Sequence, residues 1–269
     1  MKHAKIIGFL SVKGGVGKTT TVANLGALLA QDFGKKVLIV DGNLSNANLA
    51  LHFGFSKPTY TFHDVLSRKV RVEKALYEHE SGLHLLPASL HGKPVSYKLL
   101  KSYLSSLRSY YDLILVDGSP SPRDGLLEAV AASDEVFLIS QPDYVTLSAT
   151  LKTLKYAQEK HTHVAGLILN RVRGKKFEMN ASQVQSHTKV PVVCVLKDDE
   201  AILASLNKGR PAAFTKKNSD AVVEYKKLAA ALIGRRYTDT RLKSRLKSLV
   251  KRDVPPEEVN RAIVMVSHY

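Results

Sequence analysis

The chain has 269 residues, of which 44% are hydrophobic, enough for one large α/β domain or two small ones. Its apolar runs are short and end in polar residues or glycine, which excludes membrane spans, because these need about 20 apolar residues. The net charge of +16 favours anionic partners, and the single cysteine, Cys194, excludes a disulfide framework within the chain. Because the N-terminus lacks a signal-peptide pattern, we expect a cytoplasmic location.

Strand-like apolar runs alternate with amphipathic helical stretches along most of the sequence. We predict strands over residues 5–10, 36–40, 83–86, 113–116, 135–139, 164–169 and 190–196. We predict helices over residues 18–31, 97–110, 123–131, 144–159, 200–206 and 219–232. This alternation is typical of a parallel sheet with helices on both faces, because each parallel crossover needs a connecting helix. The sequence therefore predicts an α/β fold with a doubly wound, mostly parallel sheet.

The alternating pattern stops near Gly234, where the composition changes. Residues 235–252 contain eight Lys or Arg against a single acid, Asp239. Among these basic residues, apolar side chains recur at helical spacing: Leu242, Leu246, Leu249 and Val250. This pattern fits either an interfacial helix on an anionic membrane or a terminal helix packed on the body. We predict an α/β domain over residues 1–234 and a basic, amphipathic, helical C-terminal extension over residues 235–269.

A glycine-rich segment, SVKGGVGKTTT from Ser11 to Thr21, falls between the first predicted strand and the first predicted helix. Its glycines let backbone N–H groups turn inward around a polyphosphate, and the helix N-terminus adds partial positive charge. Lys18 is placed to neutralise the β and γ phosphates, and the Thr19 hydroxyl is placed to ligate Mg²⁺. A simple glycine-rich turn is the alternative, but Gly-Lys-Thr in this context favours nucleotide binding.

The strict phosphate-loop pattern, G-x-x-x-x-G-K-S/T, fails because Val12 stands where the first glycine belongs, and a second lysine, Lys13, follows it. The string KGGVGKTT resembles the deviant Walker A motif of the MinD/ParA ATPases, and the resemblance extends from Lys5 to about Leu232. It implies a P-loop NTPase fold, ATP and Mg²⁺ as cofactors, and a homodimer when ATP is bound, with Lys13 reaching the partner's nucleotide. It also implies a set of nucleotide contacts: Lys13, Gly14, Gly15, Val16, Gly17, Lys18, Thr19 and Thr20.

Further strings support this resemblance. YTFHDVLSRKV and VPVVCVLKDDEAILASL resemble segments of bacterial and archaeal MinD-like proteins. GLILNR, Gly166 to Arg171, resembles the family strand whose terminal asparagine contacts adenine, which implies that Asn170 and Arg171 bind the base. Judged alone, an asparagine at a strand end is usually only a turn former.

Acidic residues follow two of the predicted strands. Asp117 ends an apolar strand, as a Walker B acid near Mg²⁺ must. The resemblance gives Asp41 a related role through switch I, so we predict a metal site of Thr19, Asp41 and Asp117. The alternative for each acid is a turn residue that ends its strand.

Two positions depart from the family pattern. Switch I of MinD-like proteins usually reads Asp-x-Asp, whereas this chain has Asp41, Gly42 and Asn43. An amide can orient water but accepts no proton. In switch II, Gly-Ser-Pro-Ser-Pro follows Asp117, which removes the family glycine and stiffens the loop. We therefore expect slow or partner-dependent ATP hydrolysis, with four catalytic residues: Lys13, Lys18, Asp41 and Asn43.

Three functions compete. The favoured one is a MinD-like switch whose ATP-bound dimer positions a cargo or activating protein at an anionic membrane, peripheral at the inner face of the cell membrane. The second is a ParA-like partition ATPase that binds DNA nonspecifically through its positive charge. The third, a metal-cluster carrier or reductase component, relies on cysteine pairs that a chain with only Cys194 lacks.

Overall fold

A sheet of eight strands runs through the part of the chain that the computed structural model describes, residues 3–241 and 254–268. The strand order is β3-β4-β2-β5-β1-β6-β7-β8, and only β3 runs antiparallel to its neighbour. This arrangement confirms the predicted doubly wound, mostly parallel sheet. The strands are β1 Lys5–Leu10, β2 Val37–Gly42, β3 Tyr77–Glu78, β4 His84–Leu86, β5 Leu113–Gly118, β6 Glu135–Ser140, β7 His163–Val172 and β8 Val192–Lys197.

Helices cover both faces of this sheet. Successive strand residues point to opposite faces, so Ile6 belongs to one apolar core and Ile7 to the other. The Ile7 core includes α1 and α9, and the Ile6 core includes α3, α4 and α5. The helices are α1 Lys18–Gln31, α2 Phe62–Leu66, α3 Leu100–Leu107, α4 Leu127–Ala132, α5 Tyr144–Glu159, α6 Ala181–Thr188, α7 Glu200–Leu206, α8 Ala212–Thr215, α9 Asp220–Ala231 and α10 Pro256–Ser267.

Several element boundaries differ from the sequence-based prediction. The helix predicted over 123–131 begins with a π-helical turn, Pro122–Leu126, and becomes α-helical only at Leu127. The helix predicted over 97–110 has 3₁₀ turns at both ends, Tyr97–Leu99 and Arg108–Tyr110. Strand β3 was missed because two residues are too short to show a period-two pattern.

Strands β2 and β5 extend two residues beyond their predicted ends. Their parallel pairing continues through Asp41 opposite Asp117 and Gly42 opposite Gly118. The two acids therefore lie within the sheet edge and not in turns after it. This pairing places both carboxylates at the carboxyl edge of the sheet.

Helix α10 packs against β8 and α9. The Asn260 side chain donates to the Val192 carbonyl at 2.8 Å, and Arg261 Nε donates to the Val193 carbonyl at 2.9 Å. Val264 is buried in the same core as α1 and α9. This helix thus belongs physically to the sheet's surroundings, while the division of the chain at Gly234 stays a prediction.

The leucine stripe of the C-terminal extension lies outside the described residues, as do the basic residues interleaved with it. At its beginning, Arg241 pairs with Asp239 at 2.8 Å and with Asp220 at 2.9 Å. Within residues 3–241 and 254–268, we find no helix with the length and apolar character that crossing a bilayer requires.

Candidate nucleotide-binding site

The glycine-rich loop joins β1 to α1 at the carboxyl edge of the sheet. Gly17 stands immediately before the helix with φ of 102°, a left-handed conformation that glycine tolerates and other residues resist. No side chain caps the first turn of α1. Because the first N–H groups of a helix lack partners within it, this end can accept an anion.

The Lys18 amine lies beneath this loop. It is 6% exposed and donates two long hydrogen bonds to loop carbonyls, 3.3 Å to Ser11 and 3.4 Å to Lys13. Burial lowers the pKa of Lys18, and the Asp117 charge opposes that shift. An anion above the loop would therefore give this amine a stronger partner than it has among the carbonyls.

Thr19 and Asp117 form the predicted magnesium pair. The Thr19 hydroxyl donates to Asp117 Oδ2 at 2.6 Å, and Asp117 Oδ1 is buried with no hydrogen-bond partner in the described structure. Burial raises the pKa of Asp117 despite the Thr19 hydrogen bond and the Lys18 charge. A divalent cation would satisfy the open oxygen and favour the ionised form.

Asp41 lies beside Asp117 and organises switch I, residues 41–49. Its side chain accepts backbone N–H groups from Asn43 at 3.2 Å, Asn48 at 3.2 Å and Leu49 at 3.1 Å. Burial and then the Asp117 charge raise the pKa of Asp41, and the three backbone hydrogen bonds oppose that shift. Asp41 thus closes the loop, and direct contact between Asp41 and a metal stays a prediction.

Asn43 points into this closed loop. It is 6% exposed, and its Nδ2 donates to the Asn46 carbonyl at 2.8 Å. Its Oδ1 is buried without a partner among the described residues. The amide oxygen is therefore available to accept a hydrogen bond from a water molecule.

The second lysine of the loop contacts its own chain in this structure. Lys13 Nζ donates to the Thr146 hydroxyl at 2.9 Å, and that hydroxyl donates to Asp143 Oδ2 at 2.7 Å. Asp143 also caps α5 by accepting from the Thr146 N–H. Contact between Lys13 and a partner's nucleotide would require the lysine to leave Thr146.

Asn170 lies at the end of β7 and braces the phosphate loop. Its Nδ2 donates to the Val16 carbonyl at 2.7 Å, and its Oδ1 accepts the Arg171 N–H at 2.9 Å. A small cleft opens beside it, lined by Gly17, Thr20, Asn170, Arg171, Ile202 and Tyr225 among others. This cleft, with apolar and amide groups, suits a flat base, and base recognition by Asn170 and Arg171 stays a prediction.

Taken together, the residues fit a nucleotide triphosphate with Mg²⁺. The open helix end and Lys18 suit phosphates, and the unpartnered Asp117 oxygen suits a hard cation. In the described part of the chain, no group of three or more His, Cys, Asp or Glu is arranged to hold a metal ion. Mg²⁺ commonly uses only one or two protein carboxylates and takes its other ligands from phosphates and water, so Thr19 and Asp117 suffice.

Comparison with known proteins agrees with this geometry. A family model described as an AAA domain matches residues 4–165. An uncharacterized ATP-binding protein of Methanocaldococcus jannaschii is 33% identical over 233 residues, 85% of this chain and 88% of that protein. The septum site-determining protein MinD of Synechocystis is 31% identical over 239 residues, 86% of this chain and 90% of that protein. The solved structure of MinD complexed with Mg-ADP from Pyrococcus horikoshii is 30% identical with a TM-score of 0.79, covering 84% of this chain and 95% of that one.

The chain belongs to the MinD/ParA family of ATPases. Membership confirms the resemblance that the deviant Walker A motif indicated.

Sequence reasoning missed some residues of this site. Thr146 and Asp143 hold Lys13, and Tyr225 lines the cleft while contacting the Thr21 hydroxyl at 3.2 Å. Asp143 carried a readable signal, because an aspartate directly before a helix is a common N-cap. Nothing in the sequence indicated that this cap lies beside Lys13, since the two residues are far apart along the chain.

Gly17 provides a test of the loop geometry. A side chain at Gly17 would adopt a left-handed conformation, costing roughly 1–2 kcal/mol, and its Cβ would lie 2.2 Å from Asn170 Nδ2. We expect Gly17→Ala to lower nucleotide affinity at least about tenfold and to lower the melting temperature, as measured by nucleotide titration and thermal unfolding.

Gly14→Ala is the matched control, because a Cβ at that position meets nothing within 4 Å. Its thermal stability should stay within about 0.5 kcal/mol of wild type. Equal destabilisation by both substitutions would contradict the assigned role of Gly17.

Proposed function

We propose that this protein is an ATP-dependent, dimerising switch of the MinD type that hydrolyses ATP slowly and positions a partner protein at a membrane surface. ATP and Mg²⁺ are its nucleotide and cofactor. The observation that carries the proposal is the arrangement of Lys18, Thr19 and Asp117 at the uncapped end of α1. When bound, Mg²⁺ would offset negative charge on the phosphates.

The protein's own groups divide the work around the phosphates. Lys18 transfers its hydrogen bonds from the loop carbonyls to phosphate oxygens, and backbone N–H groups of α1 complete the cradle. Asp117 positions the Thr19 hydroxyl, and Asp41 holds switch I closed over the site. These groups stabilise charge and need no proton transfer.

Slow hydrolysis follows from Asn43. Its free Oδ1 can orient an attacking water, but an amide cannot accept the water's proton. We therefore place the protein in its ATP-bound state for most of its cycle, with an activating partner to accelerate turnover. The switch II segment, with Pro120 and Pro122, adds stiffness beside the site.

Dimerisation depends on Lys13 in this proposal. Its amine leaves Thr146 and neutralises phosphate charge on the second protomer's nucleotide, a more favourable contact than a neutral hydroxyl. ATP-bound protomers therefore associate, and the loss of phosphate charge after hydrolysis weakens the contact.

The two lysines can be separated experimentally. Lys18→Ala should abolish nucleotide binding, because the buried amine is the cation nearest the phosphates. Lys13→Ala should retain binding and lose ATP-dependent dimerisation. Nucleotide titration and sedimentation velocity with and without ATP measure the two properties. Equal loss of binding in both variants would show that Lys13 only contacts the nucleotide of its own chain.

Asn43→Asp tests the origin of slow turnover. We expect steady-state hydrolysis to rise at least about tenfold with nearly unchanged ATP affinity, because the substitution acts on the water and not on the phosphates. The carboxylate also loses the donor to the Asn46 carbonyl, so we expect a lower melting temperature.

Asn48→Asp is the matched control. Asn48 lies in the same loop, and its Oδ1 is likewise buried and unpartnered in the described structure. The same chemical change there should not accelerate turnover. If wild type already hydrolyses ATP as fast as Asn43→Asp, another residue positions the water.

The membrane part of the proposal concerns the basic leucine stripe. Truncation after Gly234 is a poor test, because it also removes Val264 and the other α10 residues that pack on β8. Leu246→Glu with Leu249→Glu leaves α10 in place. We expect ATP-dependent co-sedimentation with anionic vesicles that weakens in this variant and at high salt, with about 1 kcal/mol per basic residue near the surface.

Duplex DNA sedimented in parallel distinguishes the ParA-like alternative, which the charge of +16 favours. ATP-dependent binding to DNA, with no binding to vesicles, would replace membrane positioning by nonspecific DNA partitioning.

A further inference from the structure

His63 connects switch I to a loop that plays no part in nucleotide contact. It lies in α2 and is 6% exposed. Its Nδ1 accepts the Ser89 N–H at 3.1 Å, and its ring also hydrogen-bonds the backbone of Leu44. Leu44 directly follows Asn43, so the ring holds the residue next to the one that faces the water.

The two hydrogen bonds require one state of the imidazole. Since Nδ1 accepts a proton from Ser89, the neutral ring carries its own proton on Nε2, which donates to the Leu44 carbonyl. A charged ring would set two N–H groups against each other at Ser89. Burial lowers the pKa of His63, with Asp64 and the Leu44 hydrogen bond opposing that shift.

The elements around His63 are themselves fixed. Thr61 and Asp64 form a capping box at the start of α2, and the Phe62 N–H donates to the Pro87 carbonyl at 2.7 Å. Gly92 packs against the ring so closely that a Cβ there would lie 2.3 Å from His63 Nε2. The imidazole therefore has little freedom to change its orientation.

The same loop reaches switch II. Downstream of Gly92, the Tyr97 ring packs on Gly125, where an added Cβ would lie 2.0 Å from the ring. Gly125 belongs to the π-helical turn Pro122–Leu126. The loop that His63 anchors thus contacts switch II at its other end.

We infer that His63 is a positioning residue that, through Leu44, holds Asn43 in the geometry for water attack; the hydrolysis part of this inference rests on the proposed function. The hydrogen bond from Nε2 to Leu44 sets the position of switch I. The Ser89 hydrogen bond selects the tautomer that makes it possible.

Two isosteric variants separate these hydrogen bonds. Glutamine places its amide near Nε2 and can donate to Leu44, whereas asparagine places its amide near Nδ1 and can accept from Ser89 only. Hydrogen–deuterium exchange of residues 41–49 in the nucleotide-free protein reports on switch I without any need for hydrolysis. We expect His63→Asn to exchange about tenfold faster than wild type and His63→Gln to stay near wild type.

Gly92→Ala provides a second route, since it displaces the ring without changing a hydrogen-bonding residue. It should accelerate exchange in switch I as His63→Asn does, which keeps the inference open to test if His63→Asn folds poorly. In single-turnover assays, both variants should hydrolyse ATP at least about tenfold more slowly than His63→Gln, with unchanged nucleotide affinity.

Equal acceleration of exchange in His63→Gln and His63→Asn would overturn the inference, because the ring would then act only by filling its site. Absence of hydrolysis in wild type would contradict the proposed function instead, while the exchange ratio of the variants would still decide the role of His63.

Discussion

Two buried carboxylates, Asp41 and Asp117, lie opposite each other on adjacent parallel strands. Water is absent and like charge is near, so neither ionises easily without help. Thr19, Lys18 and three backbone N–H groups of switch I supply part of that help, and one Asp117 oxygen remains open. The phosphate loop and switch I are thus arranged around a charge problem that a divalent cation solves.

Asn43 makes sense within this constraint. A third acid beside Asp41 and Asp117 would add like charge to the same buried edge, whereas an amide adds none and donates to the Asn46 carbonyl. The substitution therefore favours a closed, well-ordered switch I at the expense of a proton acceptor. His63 acts in the same direction, because it ties Leu44 to α2 and to the Ser89 loop.

The sequence predicted those features that depend on neighbouring residues. The phosphate loop could be recognised because its glycines, Lys18 and Thr19 stand between a strand and a helix. The contact between Asp41 and Asp117 could not, since it depends on β5 lying between β1 and β2 in the sheet. Helix α10 shows another limit: its apolar Val259, Ile263 and Val266 are exposed, while Asn260 and Arg261 are buried. Backbone carbonyls of β8 require those donors, which no hydrophobic periodicity reveals.

The C-terminal extension begins close to the nucleotide cleft. Arg241 pairs with Asp220 at 2.9 Å, and Asp220 also pairs with Lys197 at 3.5 Å. Lys197 lines the cleft beside Asn170. One carboxylate therefore joins the wall of the cleft to the root of the extension, so a shift of Lys197 would change the partners of Arg241. On the proposed function, this ion-pair chain offers a short physical path between nucleotide binding and the basic segment that follows Arg241.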